Sequence, residues 1–261
     1  MNILLMALLA LFLYMCAAFI LSLVRKDNGT ADIAYGWGFV LVAWTSVVLG
    51  EAGPAALVAG ALATVWAARL SIRIWLRNRG KPEDFRYKAW RDTWGKTFVV
   101  RSFLQVYMLQ GAIIFIVALP LSLLSIYGAG SGIGALALAG FLLWGVGFFF
   151  EAVGDYQLSR FIGNPSNKGK VMDQGLWRYT RHPNYFGESV MWWGLALAAA
   201  STLWPYLGSY ALLAFVSPVL ITFLLLKVSG VPMLEKRFEG QPAWEAYKKR
   251  TSVFIPLPPR G

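Results

Sequence analysis

Residues 175–188, GLWRYTRHPNYFGE, gather two arginines, the single histidine of the chain, an asparagine and a glutamate among aromatic side chains. Pro183 suits the first turn of a helix. A helix starting there puts free peptide N–H groups, Arg178, Arg181 and His182 in one layer, with Asn184 and Glu188 just below. The upper layer suits phosphate and the lower suits hydroxyls and amides, the gradient a nucleotide cofactor presents. Upstream, Glu151 and Asp155 are four residues apart and share one face of a helix, and the run Phe148-Phe149-Phe150 turns that face inward. Two adjacent carboxylates repel unless a cation, a proton or a hydroxyl-rich ligand lies between them; pairing with Arg160 or Arg181 is the alternative. A third acidic position, Asp32, lies at the start of another apolar run. Burial that keeps it protonated makes it a proton donor, Tyr35 one turn later is an alternative donor, and an ion pair with Arg25, Lys26 or another basic residue makes it a helix anchor.

The elements that position these groups belong to a membrane protein. Hydrophobic residues make up 57% of the 261 and charged residues 14%, too apolar for a soluble domain. Apolar runs of about 20 residues fall near 2–24, 33–50, 54–76, 103–126, 132–152, 183–203 and 207–226. The sequence therefore predicts an all-α polytopic protein with seven transmembrane helices. Of the 24 Lys and Arg residues, two lie in 25–26, ten in 69–101, five in 160–181 and seven in 227–261, with none in the loops near 51–53, 127–131 and 204–206. By the positive-inside rule this puts the N-terminus outside and the C-terminus in the cytoplasm. The net charge of +11 is then topological, and no nucleic-acid partner is expected. The first run has its basic residues after the apolar stretch, which reads as a retained anchor. Pro120 and Pro218 are expected to kink their spans, and Trp204-Pro205 to close the sixth. Residues 1–261 read as a single membrane domain, with substrate-side helices in 1–126 and the cofactor region in 127–261.

One cysteine, Cys16, excludes an internal disulfide and a cysteine cluster, and one histidine argues against a zinc or iron site, so no metal is expected. GAGSGIG at 128–134 lacks the G-x-G-x-x-G spacing, and WGKT at 94–97 lacks the earlier glycine of a phosphate loop, whose place Trp90 holds. Asn28-Gly29-Thr30 matches a glycosylation sequon in a loop assigned to the cytoplasm.

GLWRYTRHPNYFGE, followed by Met191-Trp192-Trp193-Gly194 and preceded by Gly154-Asp155-Tyr156, resembles the C-terminal domain of the steroid 5-alpha-reductase family, especially its bacterial membrane branch. The likeness extends to Arg79-Gly80-Lys81-Pro82-Glu83-Asp84 and to Leu234-Glu235-Lys236-Arg237-Phe238. It implies a seven-span reductase that binds NADPH in a cytoplasm-facing cavity and reduces a carbon–carbon double bond conjugated to a ketone. By the same resemblance Asp155, Asn184 and Glu188 contact the cofactor, Glu151 stands where an amide is found and Lys170 where an arginine is found. Asn78, Arg79 and Lys81 match a basic turn at the nucleotide, and Lys227 a basic residue further on. Arg160, Lys168, Arg181, His182 and Tyr185 complete the expected cofactor set, with Arg79, Lys81, Lys168 and Lys170 reading the 2′-phosphate. A bacterial inner (cytoplasmic) membrane is the expected location.

The resemblance stops in the substrate half. Steroid reductases carry a Gln-Glu pair near the start of the second span and a tyrosine on the third, whereas here Asp32 stands near the first position and Trp66 and Ala67 near the second. The expected substrate is therefore a lipophilic enone, steroid or otherwise, entering from the bilayer, with Asp32 or Tyr35 as the donor to its oxygen. Such a donor typically contributes roughly 2.7–4 kcal/mol to the barrier. Arg181-His182-Pro183-x-Tyr185-x-Gly187-Glu188 is also similar to the membrane isoprenylcysteine and phospholipid methyltransferases, which use S-adenosylmethionine. The carboxylate pair and the basic turn favour NADPH. A transporter is disfavoured, because no span pair carries matched Gly/Pro breaks.

Overall fold

The computed structural model describes residues 2–260. Helix α1 (Ile3–Arg25) starts where the Asn2 side chain accepts the Leu4 and Leu5 N–H groups and ends at Lys26, which adopts φ 54° and donates its N–H to Leu23 and Ser22 carbonyls. Helix α2 covers Thr30–Leu49, and α3 covers Pro54–Asn78 with its proline in the first turn. Helix α4 (Phe85–Trp94) is capped by Asp84, whose carboxylate accepts the Arg86 N–H. Then follow α5 (Phe98–Ser102), a π-helical turn at Phe103–Met108, α6 (Leu109–Val117) and α7 (Leu119–Tyr127). Helix α8 (Ala135–Gly163) and α9 (Pro183–Leu207) are the longest of the C-terminal half, and α10 (Val216–Phe223), α11 (Val231–Glu235) and α12 (Pro242–Arg250) complete the chain. Among the described residues there is no strand, only an isolated parallel bridge between Thr180 and Ser252.

The all-helical expectation holds. Among the described residues, six helical stretches are long and apolar enough to cross a membrane: Ile3–Arg25, Thr30–Leu49, Pro54–Asn78, Phe85–Val117, Ala135–Gly163 and Pro183–Phe238. The expected sixth and seventh spans, near 183–203 and 207–226, both fall within the last of these, a stretch of 56 residues. Pro205 does not close a helix; α9 runs through it to Leu207 and gives way to a 3₁₀ segment at Gly208, φ +53°. The break expected near Pro120 occurs at Ala118, between α6 and α7. Large apolar side chains such as Leu5, Val24, Val48 and Leu142 lie on the outside, 62–78% exposed, the distribution expected of a surface solvated by lipid.

The chain divides into two compact units, Met1–Ala137 with Ala199–Ala214, and Leu138–Ala198 with Phe215–Gly261. In the first, α3 buries Ala55, Ala59, Ala63 and Ala67, one every four residues, and small residues at such a stripe let helices come close. Gly36 of α2 sits there so tightly that a Cβ would lie 2.4 Å from Ser71 Oγ and 2.9 Å from the Ala67 carbonyl oxygen. Phe39, Trp66, Tyr107 and Ile114 fill the remaining core.

Candidate functional site

Glycine spacing determines how the second unit brings its polar residues together. Gly140, Gly147 and Gly154 recur every seven residues on α8, and Gly187 and Gly194 do so on α9. A seven-residue repeat keeps one seam in register between two helices. A Cβ on Gly147 would lie 2.5 Å from the Gly187 oxygen and 2.6 Å from Met191 N; one on Gly187 would lie 2.4 Å from the Gly147 oxygen and 2.5 Å from Glu151 N. Gly140 and Gly194 face each other in the same way, and Gly154 meets the Pro183 ring at 3.1 Å. The two backbones touch along this line.

The contact places Asp155 against the start of α9. Asn184 Nδ2 donates to Asp155 Oδ1 at 3.3 Å, and Glu151 and Asp155 are each only 3% exposed. Asn184 Oδ1 is buried and accepts no hydrogen bond from a described residue. A buried amide oxygen of this kind costs free energy unless an N–H or O–H reaches it. Glu188 follows Gly187 and is half-buried. The segment leading into α9 is pinned to α8: Trp177 Nε1 donates to the Gly154 oxygen at 3.0 Å, and the Leu176 N–H donates to Gln157 Oε1 at 2.9 Å.

Arg181 and His182, expected to face phosphate, are turned to the C-terminal segment instead. Arg181 is 8% exposed; its Nε donates to Glu235 Oε1 at 2.9 Å and its Nη1 to the Thr251 and Lys248 oxygens at 2.7 and 3.2 Å. His182 is fully buried, with Nε2 2.9 Å from the same Glu235 oxygen and its ring stacked on Tyr185. Burial holds the imidazole below its ordinary pKa, against the opposing pull of Glu235. The physical reason for the difference is Glu235, a carboxylate 54 residues away that only the tertiary fold delivers. The strap is completed by Thr180 Oγ1 donating to the Phe254 oxygen, Leu257 N–H to the Tyr179 oxygen, Tyr247 OH to the Trp177 oxygen, and an ion pair between Arg250 and Asp173.

The other expected cations are exposed. Arg160, Lys168 and Lys170 are exposed at and beyond the end of α8, and Lys227 is exposed in a π-helical turn at Leu224–Val228. Asn78, Arg79 and Lys81 belong to the first unit, where Asn78 accepts from Arg77 Nε and Lys81 N, Arg79 lies over the Trp75 ring, and Gly80 turns with φ +73°.

Asp32, also in the first unit, accepts from Arg86 Nη2 at 2.7 Å and from Tyr87 OH at 2.5 Å. Both of its oxygens are thus acceptors, and the hydroxyl proton in this group belongs to Tyr87; the expected donor role of Asp32 does not fit the geometry, whereas its alternative as partner of a basic residue does. Tyr35 packs edge-on against Phe39, which packs edge-on against Trp66. A neighbouring group ties the loop before α4 to the start of α2: Glu83 accepts from Arg91 at 2.8 and 3.0 Å and from the Asn28 N–H at 2.9 Å, while Asn28 Nδ2 donates to Ser102 Oγ. Burial works to raise the pKa of Glu83, but the bonds from Arg91 and Asn28 outweigh it and hold the carboxyl below its ordinary value. For Asp84 burial is likewise outweighed, by Arg86. Reading by residue type overlooked Arg86, Tyr87 and the role of Glu235, for which the sequence holds no local signal. It also overlooked the glycine seam, whose seven-residue spacing was there to be seen.

Fold and site together define an all-helical integral membrane protein with a buried carboxylate–amide cluster at a close helix contact. The chain belongs to the DUF1295 family, described as a protein of unknown function, whose model matches residues 18–251. Over 65 residues it is 38% identical to the "Probable O-methyltransferase ustE" of Ustilaginoidea virens, covering 25% of this chain and 23% of that protein. It is 43% identical over 65 residues to the "3-oxo-5-alpha-steroid 4-dehydrogenase 1" of Mus musculus and to that of Rattus norvegicus, covering 24% of this chain and 25% of each. The matches thus span about a quarter of the length of these curated relatives. No solved structure matches.

Proposed function

We propose that this protein is a membrane reductase that uses NADPH to saturate a carbon–carbon double bond conjugated to a ketone in a lipophilic substrate. The observation that carries the reading is the buried Asn184 Oδ1, an acceptor without a partner, beside the buried carboxylates Asp155 and Glu151. This set fits a ligand rich in N–H and O–H donors, such as the carboxamide and ribose hydroxyls of a nicotinamide nucleotide. Asn184, Asp155, Glu151 and Glu188 would hold NADPH there, and the bound nucleotide supplies a hydride. The partial likeness to the two rodent steroid dehydrogenases supports the same class.

Reduction of an enone takes up one hydride and one proton, and negative charge develops on the ketone oxygen. The proton donor in this reading is the Tyr87 hydroxyl, which would turn from Asp32 to the ketone oxygen, with Arg86 balancing the carboxylate charge. Tyr35 remains the alternative donor from the same helix as Asp32. In this reading the helices of residues 1–126 serve the substrate and residues 127–261 the cofactor; the substrate enters from the bilayer, and the basic loops face the cytoplasm of a bacterial inner membrane.

A second reading, an S-adenosylmethionine-dependent methyltransferase, is favoured by the likeness to the Ustilaginoidea virens protein. Titrating the detergent-purified protein with NADPH and with S-adenosylmethionine separates the two. Saturable NADPH binding that Asn184→Ala weakens supports the reductase; binding of S-adenosylmethionine alone sinks it.

A further inference from the structure

We infer that a cleft beside the C-terminal strap is a binding site for a phosphate monoester. The cleft has a volume of about 410 Å³ and is lined by Asp173, Gln174, Gly175, Arg178, Arg250, Thr251 and Pro259, all within the second unit. That volume lies in the range of small-molecule sites and exceeds what a lone phosphate needs. The lining carries two arginines against one carboxylate. Arg250 is paired with Asp173, which leaves the charge of Arg178 uncompensated: its guanidinium is exposed and has no ion-pair or hydrogen-bond partner among the described residues. A planar guanidinium with its donors unused is matched to the oxygens of a phosphate monoester. Asp173 adds an acceptor for hydroxyls on the same ligand.

Two further features make this a formed site and not a chance of surface charge. Thr251 is 4% exposed, and its Oγ1 is a polar atom with no hydrogen-bond partner. The floor is tied to α8: Gly175 turns with φ +58°, and the N–H of the next residue, Leu176, donates to Gln157 Oε1 at 2.9 Å. Trp177, next to Arg178, is bonded to Gly154, the neighbour of Asp155. The cleft is thereby held on the same segment of α8 as the buried cluster. The inference deepens the nucleotide reading by assigning a phosphate to Arg178 instead of Arg181, yet it stands on its own geometry, and the phosphate monoester of phosphatidic acid presents the same chemistry as a nucleotide's.

The test uses the full chain in nanodiscs of neutral phosphatidylcholine. Adenosine 2′,5′-bisphosphate is titrated by calorimetry against wild type, Arg178→Gln and Thr251→Val, with thermal melting as the check on folding. Nanodiscs containing phosphatidic acid, a lipid phosphate monoester, form the second arm. The expected result is saturable binding of the bisphosphate that weakens at least tenfold in Arg178→Gln at unchanged melting temperature. If phosphatidic acid displaces it, the natural source is a lipid headgroup; if not, it is a soluble nucleotide. Asn184→Ala keeps bisphosphate binding even if it loses NADPH, so failure of the cofactor reading is separable. Equal affinity of wild type and Arg178→Gln, or no binding of either probe, overturns the inference.

Discussion

Replacing Gly187 with alanine tests whether the α8–α9 contact sets the polar cluster. The new Cβ would stand 2.4 Å from the Gly147 oxygen and 2.5 Å from Glu151 N, both backbone atoms that cannot rotate away. Ordinary van der Waals contact begins at 3.4 Å, so α9 must retreat by about 1 Å (3.4 − 2.4). Overpacking of this size costs about 1–3 kcal/mol, partly offset by the better helix propensity of alanine, about 1 kcal/mol. The same retreat stretches the 3.3 Å bond between Asn184 and Asp155 beyond hydrogen-bonding distance. Losing that bond and misplacing the pair removes about 1–2 kcal/mol of ligand binding, so the NADPH dissociation constant should rise roughly 5- to 30-fold. Gly145 is the control: it lies on the same helix, two residues from Gly147, and a Cβ there meets nothing within 4 Å. Thermal melting followed by tryptophan fluorescence, and NADPH titration, are run on Gly187→Ala and Gly145→Ala together. If both variants melt and bind alike, the seam does not position the site and the reasoning fails.

Asn184→Ala and Glu188→Ala should each abolish NADPH binding in a protein that still folds, checked by fluorescence titration and circular dichroism. Asp32→Leu leaves the Tyr87 hydroxyl buried without its acceptor and should lower stability by about 1–3 kcal/mol and stop turnover of an enone lipid panel, while NADPH affinity is kept; normal turnover in this variant would remove the Asp32–Tyr87 pair from the reaction. The pH dependence follows from groups whose folded pKa is depressed, namely His182, Glu83 and Asp84. Each contributes stability that is complete above its unfolded value and is lost as pH falls toward its folded one. The melting temperature should therefore begin to fall just below pH 6.5, as His182 is forced to charge, and fall further through the carboxylate range; Glu83→Gln should flatten the acidic part, and a melting temperature level from pH 7 to 4 would contradict the assignment.

What the amino-acid sequence determined was everything that depends on local composition. Long apolar runs must become helices where no water satisfies the backbone, so the all-helical membrane architecture, the start of α9 at Pro183, and the inward placement of Glu151 and Asp155 were legible from residue types and spacing. What only the tertiary structure decided was the pairing of charges far apart in the chain. Arg181 could have faced a ligand or the protein, and it was Glu235, 54 residues on, that claimed it; Asp32 could have been donor or anchor, and Arg86 and Tyr87 from α4 made it an acceptor. An ionisable side chain in a low-dielectric interior takes its role from whichever opposite charge or donor lies within a few ångströms. That distance is a property of the packing of helices, so Asn184, bonded to a residue on the neighbouring helix and still one partner short, could be named from the sequence while its state could not.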